Sequence, residues 1–147
     1  MLPTPEQLQI REAAREFAQE RLKPFAAEWD KQQRFPREAI DEMAQLGFFG
    51  MLVPEQWGGC DTGYQAYAMA LEEIAAGDGS CSTIMSVHNS VGCVPILKYG
   101  SEAQKQQFLI PLASGEMLGA FALTEPQAGS DASDLKTRAR REGDHYI

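Results

Sequence analysis

The hydrophobic period of this chain changes once, near Glu116, and that change constrains the fold more than any other feature. Before it, apolar residues recur at three and four positions, the spacing of a helix with one buried stripe. In the first such segment Ile10, Ala14, Phe17, Ala18, Leu22, Phe25 and Trp29 make the stripe. Its start is written chemically: Thr4 as N-cap, Pro5 at the first helical position, Glu6 for the dipole and Gln7 closing a capping box. Pro24 bends or divides it.

A second helix runs from near Pro36 to Gly47, with Ile40, Met43, Ala44 and Leu46 as its apolar side and Gly47 as its stop. The connector "FFGMLVPEQWGG", residues 48–59, is punctuated by Gly and Pro yet largely apolar, so it is expected to pack rather than dangle. A third helix, 64–76, carries Tyr64, Tyr67, Ala68, Leu71, Ile74 and Ala75 inward. Residues 80–99 are nearly uncharged apart from Lys98 and read as a buried helix in which Pro95 makes a kink or a new start. Ser101 with Gln104 opens a last helix ending near Leu112.

From Glu116 the pattern is extended. Met117–Leu123 is a strand candidate, Lys136–Arg140 alternates cations with small residues, and Glu142-Gly143-Asp144 is a turn before a returning strand at His145. The expected fold class is mainly α: a helical bundle over 1–119, then the start of a β-barrel-like domain over 120–147, cut off inside a hairpin.

Composition narrows the function. With 147 residues, 44% hydrophobic and 23% charged, the chain supports one domain with a core. A net charge of −8 argues against a nucleic-acid face, which needs surplus cations. No apolar run has the length of a membrane span, and the N-terminus lacks the pattern of a signal peptide, so an intracellular soluble protein is expected. The three cysteines, Cys60, Cys81 and Cys93, contain no C-x-x-C pair, and Cys81, His88 and Cys93 do not share one helical face as metal ligands would. Neither G-x-S-x-G nor a P-loop motif occurs.

The most informative stretch is "FALTEPQAGSD", Phe121 to Asp131, an apolar run emptying into a polar, glycine-bearing loop. It is similar to a flavin-site signature, and the chain resembles the N-terminal part of the acyl-CoA dehydrogenases. "LGFFGMLVPEQWGG" (46–59), "ALEEIAAGDGS" (70–80), "HNSVGCVPILKYGSEAQKQQFLIPLASGE" (88–116) and "DLKTRARREGDHYI" (134–147) extend the resemblance along the whole chain. It implies a helical N-terminal domain, a middle β domain and a C-terminal helical bundle, with FAD between them and acyl-CoA alongside. The reaction implied is α,β-dehydrogenation of a short- to medium-chain or branched acyl-CoA in fatty acid or amino acid catabolism, with electron-transfer flavoprotein as acceptor. A homotetramer or homodimer is implied, in the bacterial cytoplasm or, after removal of a transit peptide, the mitochondrial matrix.

By the same resemblance Phe121, Leu123 and Thr124 lie along the flavin ring, while Gly129 lets backbone approach and Ser130 donates to phosphate oxygens of FAD or CoA. The catalytic carboxylate belongs to the implied C-terminal bundle, so no catalytic base is assigned here, Glu125 included. Thr83, Ile84, Val87 and Val91 form either an acyl-chain wall or ordinary core contacts. His88 and Asn89 read as polar packing within a helix. Lys136, Arg138, Arg140 and Arg141 meet CoA phosphates or form a solvated strand face. A non-catalytic helical binding or assembly module is the competing reading of the whole.

Overall fold

Thr4 opens the first helix as its side chain implies: its hydroxyl accepts the Gln7 N–H at 3.3 Å while Gln7 Oε1 accepts the Thr4 N–H at 3.0 Å. In the computed structural model, which describes residues 2–147, the helix α1 (Pro5–Phe17) continues without a break into a π-helical turn, Ala18–Leu22. After α2 (Ala26–Gln32) and α3 (Arg37–Gln45), Gly47 takes the left-handed conformation, φ +78°, that ends α3. Then come α4 (Gly63–Gly77), α5 (Gly79–Val87), a second π turn (His88–Cys93) and α6 (Val94–Tyr99). Ser101 repeats the capping box with Gln104 at the start of α7 (Glu102–Gln104), which passes through a third π turn (Lys105–Leu109) into α8 (Ile110–Ala113).

The π turns have a common cause. Each is followed within two residues by a proline: Pro24, Pro95 and Pro111. A proline inside a helix lacks its N–H and presses its ring on the carbonyl four residues back. Those carbonyls belong to Glu20, Val91 and Gln107, all within the widened turns. Widening to π geometry relieves the conflict and lets residues 79–99 and 102–113 remain continuous rods. Pro95 therefore lies inside one continuous rod rather than after a break.

The main core joins Ala14, Phe17, Ala18 and Leu22 of the first rod, Ile40 and Met43 of α3, and Ala70 and Ile74 of α4. Arg15 fixes the α1–α4 pairing with two hydrogen bonds to Glu73, at 3.0 and 2.6 Å, and this pairing holds the Glu73 carboxyl below its usual range. The connector 48–53 is buried throughout, as its apolar content demands. A smaller core gathers Val53, Trp57, Cys93, Leu109 and Leu112, with Lys105 Nζ 5.5 Å above the Trp57 ring.

Several expectations need correction. The buried stripe of α4 is Ala66, Tyr67, Ala70 and Ile74, whereas Tyr64, Ala68 and Ala75 are exposed. Small residues face small ones where the first rod meets α4: Ala14, Ala18, Ala66 and Ala70 are all fully buried, and Ala18 lies so close to Gly77 that a Cβ there would come within 2.9 Å of the alanine methyl. Leu46 and Phe25 are also exposed, the latter stacked on Trp29. Met117–Leu123 is not a strand: the chain bends at Met117 and the rest pairs with no neighbouring strand among the described residues, and Lys136–Arg140 forms no strand either. Ladder pairing is confined to a hairpin, β1 (Arg141–Glu142) with β2 (His145–Tyr146), turned at Gly143 and closed by reciprocal 2.9 Å bonds between Arg140 and Ile147. No described helix is long and apolar enough to cross a membrane.

Asn89 ties the long rod to the connector. Its Nδ2 donates to Phe48 O at 2.8 Å and Met85 O at 3.0 Å, and its Oδ1 accepts the Leu52 N–H at 3.4 Å, all in a fully buried site. Removing this amide strands the Leu52 N–H and Phe48 O, whereas Met85 O keeps the His88 N–H. Asn89→Ala is expected to lower unfolding free energy by about 2 to 4 kcal/mol, measured by urea denaturation of the 147-residue chain. A loss below half a unit on that scale would mean water or rearranged backbone replaces the amide.

Candidate functional site

The chain leaves α8 at Ala113 and turns back across the rod 79–99. Gly119 marks the crossing: its N–H donates to His88 Nδ1 at 3.2 Å, and a Cβ placed there would lie 3.5 Å from the Gly92 Cα. Beyond it, Ala120 and Phe121 meet Thr83, Ile84 and Val87 of α5 around an open cleft of about 230 Å³. The structure thus brings three of the four α5-side candidates together with Phe121. Val91 is half-buried and lies outside this cleft, because the π turn at His88–Cys93 rotates it off the α-helical register.

A second open groove, of about 470 Å³, lies between α4 and α5 and shares Thr83 and Val87 with the first. Ala68, Leu71 and Ala75 line it, which accounts for apolar residues on the outer side of α4. Thr83 is quiet as a polar group here, since its hydroxyl donates to Gly79 O at 2.9 Å within the helix. The resulting surface is apolar and stepped, with Ile84 facing the cleft and Thr83 and Val87 bridging both grooves.

After the cleft, Phe121, Leu123, Thr124, Gly129 and Ser130 are all exposed, Phe121 by 54%. Among the described residues neither the Thr124 nor the Ser130 hydroxyl takes part in a hydrogen bond, and nothing of the chain lies within 4 Å of a Cβ placed at Gly129. Gly129 has no left-handed backbone either, so its lack of a side chain answers no need within the fold. Exposed aromatic and aliphatic surface, free hydroxyls and open backbone together suit a planar, polar-edged ligand with phosphate oxygens.

The loop carrying them is held by Glu125. A two-way bridge with Ala128, 3.1 Å each way, makes the tight turn, and the Glu125 carboxylate accepts the Lys136 N–H at 2.8 Å and the Thr137 N–H at 3.0 Å. Gln127 Nε2 adds a further bond at 2.5 Å. The Thr137 hydroxyl, these two amides and Gln127 pull the carboxyl down to about 2. So acidic a group is a staple and a poor proton acceptor. Asp131 caps its own turn through the Ser133 N–H at 3.0 Å. The cations of 136–141 are exposed, and three of them are engaged locally: Lys136 near Asp134, Arg140 with Glu142, and Arg141 with Gly143 O.

His88, Asn89 and Gly119 are the residues whose importance the sequence understated. A His-Asn pair within an otherwise uncharged helix was the available signal, because buried polar side chains are kept where backbone needs partners. Cys81 and Cys93 are buried thiols pushed up to about 12 by burial. Among the described residues no three acidic, His or Cys side chains gather as a metal site.

Comparison with known proteins gives this geometry a context. A family model, the acyl-CoA dehydrogenase N-terminal domain, matches residues 4–116. The chain is 46% identical over 146 residues to the mitochondrial short-chain specific acyl-CoA dehydrogenase of Rattus norvegicus, covering 99% of this chain and 35% of the relative. It superposes on a solved chain described as an electron transferring flavoprotein of Acidaminococcus fermentans with TM-score 0.95 and 40% identity, over 100% of this chain and 39% of the other. On butyryl-CoA dehydrogenase from Megasphaera elsdenii the TM-score is 0.90 at 37% identity, over 98% and 38% respectively. The chain spans about a third of the length of these proteins.

The Glu125 staple has a testable sign. Its folded-state carboxyl is depressed, so its contribution is complete above the ordinary glutamate range and is lost as pH falls from there toward about 2. Glu125→Gln is expected to speed amide exchange at Lys136 and Thr137 at neutral pH while helical amides such as Ile74 keep their rates. Equal protection of both loop amides in the variant would remove Glu125 from this role.

Proposed function

The chain belongs to the acyl-CoA dehydrogenase family, and on that premise we propose that it forms the helical wall and flavin edge of an FAD-dependent enzyme that α,β-dehydrogenates a short- to medium-chain or branched acyl-CoA. The observation that carries this reading is the cleft joining Thr83, Ile84 and Val87 to Phe121, followed by Thr124, Gly129 and Ser130 with nothing of the fold to satisfy them. In this reading residues 1–119 are the helical domain and 120–147 begin the β domain.

The residues fit a flavin. Phe121 and Leu123 would offer apolar surface to the ring, the Thr124 hydroxyl and neighbouring N–H groups would serve its polar edge, and Ser130 would donate to a phosphate oxygen beside the open backbone at Gly129. Bound FAD supplies the acceptor for the hydride leaving the acyl β-carbon. The chain's own part is alignment. Ile84, Val87 and Thr83 form the floor on which a short acyl chain lies, and the rigid rod beneath them fixes the distance from that floor to Phe121. Glu125, already held ionised by the loop backbone, takes no proton in this scheme, and the α-proton goes to a base outside these residues. Electron-transfer flavoprotein is the proposed acceptor, and the bacterial cytoplasm or mitochondrial matrix the proposed setting.

The test uses the flavin-loaded enzyme that carries these 147 residues. Thr124→Ala and Ser130→Ala should each weaken FAD or acyl-CoA binding by about 0.5 to 1.5 kcal/mol, read by titration. A colourless wild-type protein with no flavin spectrum, or unchanged affinities for both ligands in the double variant, would favour a helical assembly module instead.

A further inference from the structure

The imidazole of His88 is fully buried, and both ring nitrogens are engaged by backbone outside its own helix. Nε2 lies 2.9 Å from Leu112 O, an oxygen that only accepts, so Nε2 carries the proton. Nδ1 is then bare and accepts the Gly119 N–H at 3.2 Å. Phe49 packs on the ring at 4.8 Å between centroids. One side chain thereby spans the end of α8 and the segment that returns from it. Gly119 is two residues from Phe121 in the same cleft.

We infer that His88 is a positioning residue: through bare Nδ1 it holds Gly119 and so sets where Ala120 and Phe121 lie against the α5 wall, and protonation of Nδ1 releases that segment. The functional consequence rests on the flavin-edge reading above, whereas the anchoring is a property of this chain alone. Protonation turns the acceptor into a donor facing a donor, so the Gly119 bond cannot survive it.

Nothing around the ring compensates a positive charge. Residues 48–53, 110–113 and 117–121 carry no ionisable side chain, and Cys81 and Cys93 on the rod itself are neutral thiols. Tyr67 on α4 donates to Ser86 O and is itself pushed up by burial, while Lys98, Tyr99 and Glu116 are exposed. Burial accordingly lowers the His88 pKa, partly offset by the bond to Leu112 O. For a histidine depressed in the folded state, the stabilising contribution is full above its ordinary value and is lost as pH falls below it toward the folded pKa.

Two substitutions separate positioning from packing. Asparagine places a non-titrating oxygen near the Nδ1 position, whereas glutamine reaches toward the Nε2 position and leaves Gly119 without an acceptor. Amide exchange is measured by NMR on the 147-residue chain between about pH 4 and pH 8, spanning the histidine range, with circular dichroism to confirm folding. In wild type the Gly119 protection, referenced to the intrinsic exchange rate, should fall on acidification by about two- to tenfold, while the Ala70 and Ile74 amides hold. His88→Asn should keep Gly119 protected across the range, and His88→Gln should lose it at every pH with helical amides unchanged. In the flavin-loaded enzyme, His88→Gln should weaken FAD affinity by a similar factor and flatten its pH profile. Gly119 protection independent of pH in wild type and His88→Asn alike, or intact in His88→Gln, overturns the positioning role. Uniform loss of protection across the helices in both variants overturns it as well, by reducing His88 to core packing. Absence of FAD binding by wild type counts against the flavin reading, and the exchange series still decides the role of His88.

Discussion

Two adjacent buried polar side chains, His88 and Asn89, hold the architecture together. The rod 79–99 is almost uncharged, and apolar contact alone leaves sliding and rotation of neighbouring segments weakly specified. Hydrogen bonds remove that freedom because buried backbone groups left unpaired cost about 1 to 3 kcal/mol each. Asn89 satisfies three backbone groups at Phe48, Leu52 and Met85, and His88 satisfies Leu112 and Gly119. The connector before α4 and the segment after α8 are therefore registered to the same turn of the same helix.

That turn is a π turn, and the geometry matters. In a regular α-helix consecutive residues point about 100° apart, and a π turn, with more residues per turn, makes that step smaller. The wider turn that relieves Pro95 also changes the spread of side chains at positions 88–93. Its consequences are a His88 directed at α8 and Gly119, an Asn89 directed at the connector, and a Val91 displaced from the face that holds Thr83, Ile84 and Val87. One proline thus shapes both the anchor and the edge of the cleft.

The two parts of the chain are stabilised differently. Up to Gly115 the helices close around two apolar clusters. From Ala120 onward only Glu125 and Ala128 are other than exposed, and order comes from local devices: the Glu125 staple, the Asp131 turn and the short hairpin. Such a segment opens at lower free energy than a core helix. It also presents Phe121, Leu123 and Tyr146 to the surroundings, as a ligand-facing and partner-facing surface does.

The helices and their ends were legible because their determinants are local. Thr4 with Gln7, Ser101 with Gln104, and Gly47 act within a few residues of themselves, so spacing alone reveals them. The stretch Phe121–Asp131 stands out in the sequence as an apolar run entering a glycine-bearing loop, and helical spacing grouped Thr83, Ile84, Val87 and Val91, of which the cleft keeps the first three. What tertiary structure alone decided was orientation and pairing. Tyr64, Ala68 and Ala75 lie outside because α4 turns Ala66, Tyr67, Ala70 and Ile74 to the core and sets Gly77 against Ala18, a choice made by the partner rod. The change of pattern at Glu116 was readable, but a strand at 117–123 needs a second strand beside it, and none pairs with it among the described residues. The roles of His88 and Glu125 depend on backbone atoms 24 to 31 and 11 to 12 residues away, and only folding brings those atoms within hydrogen-bond reach.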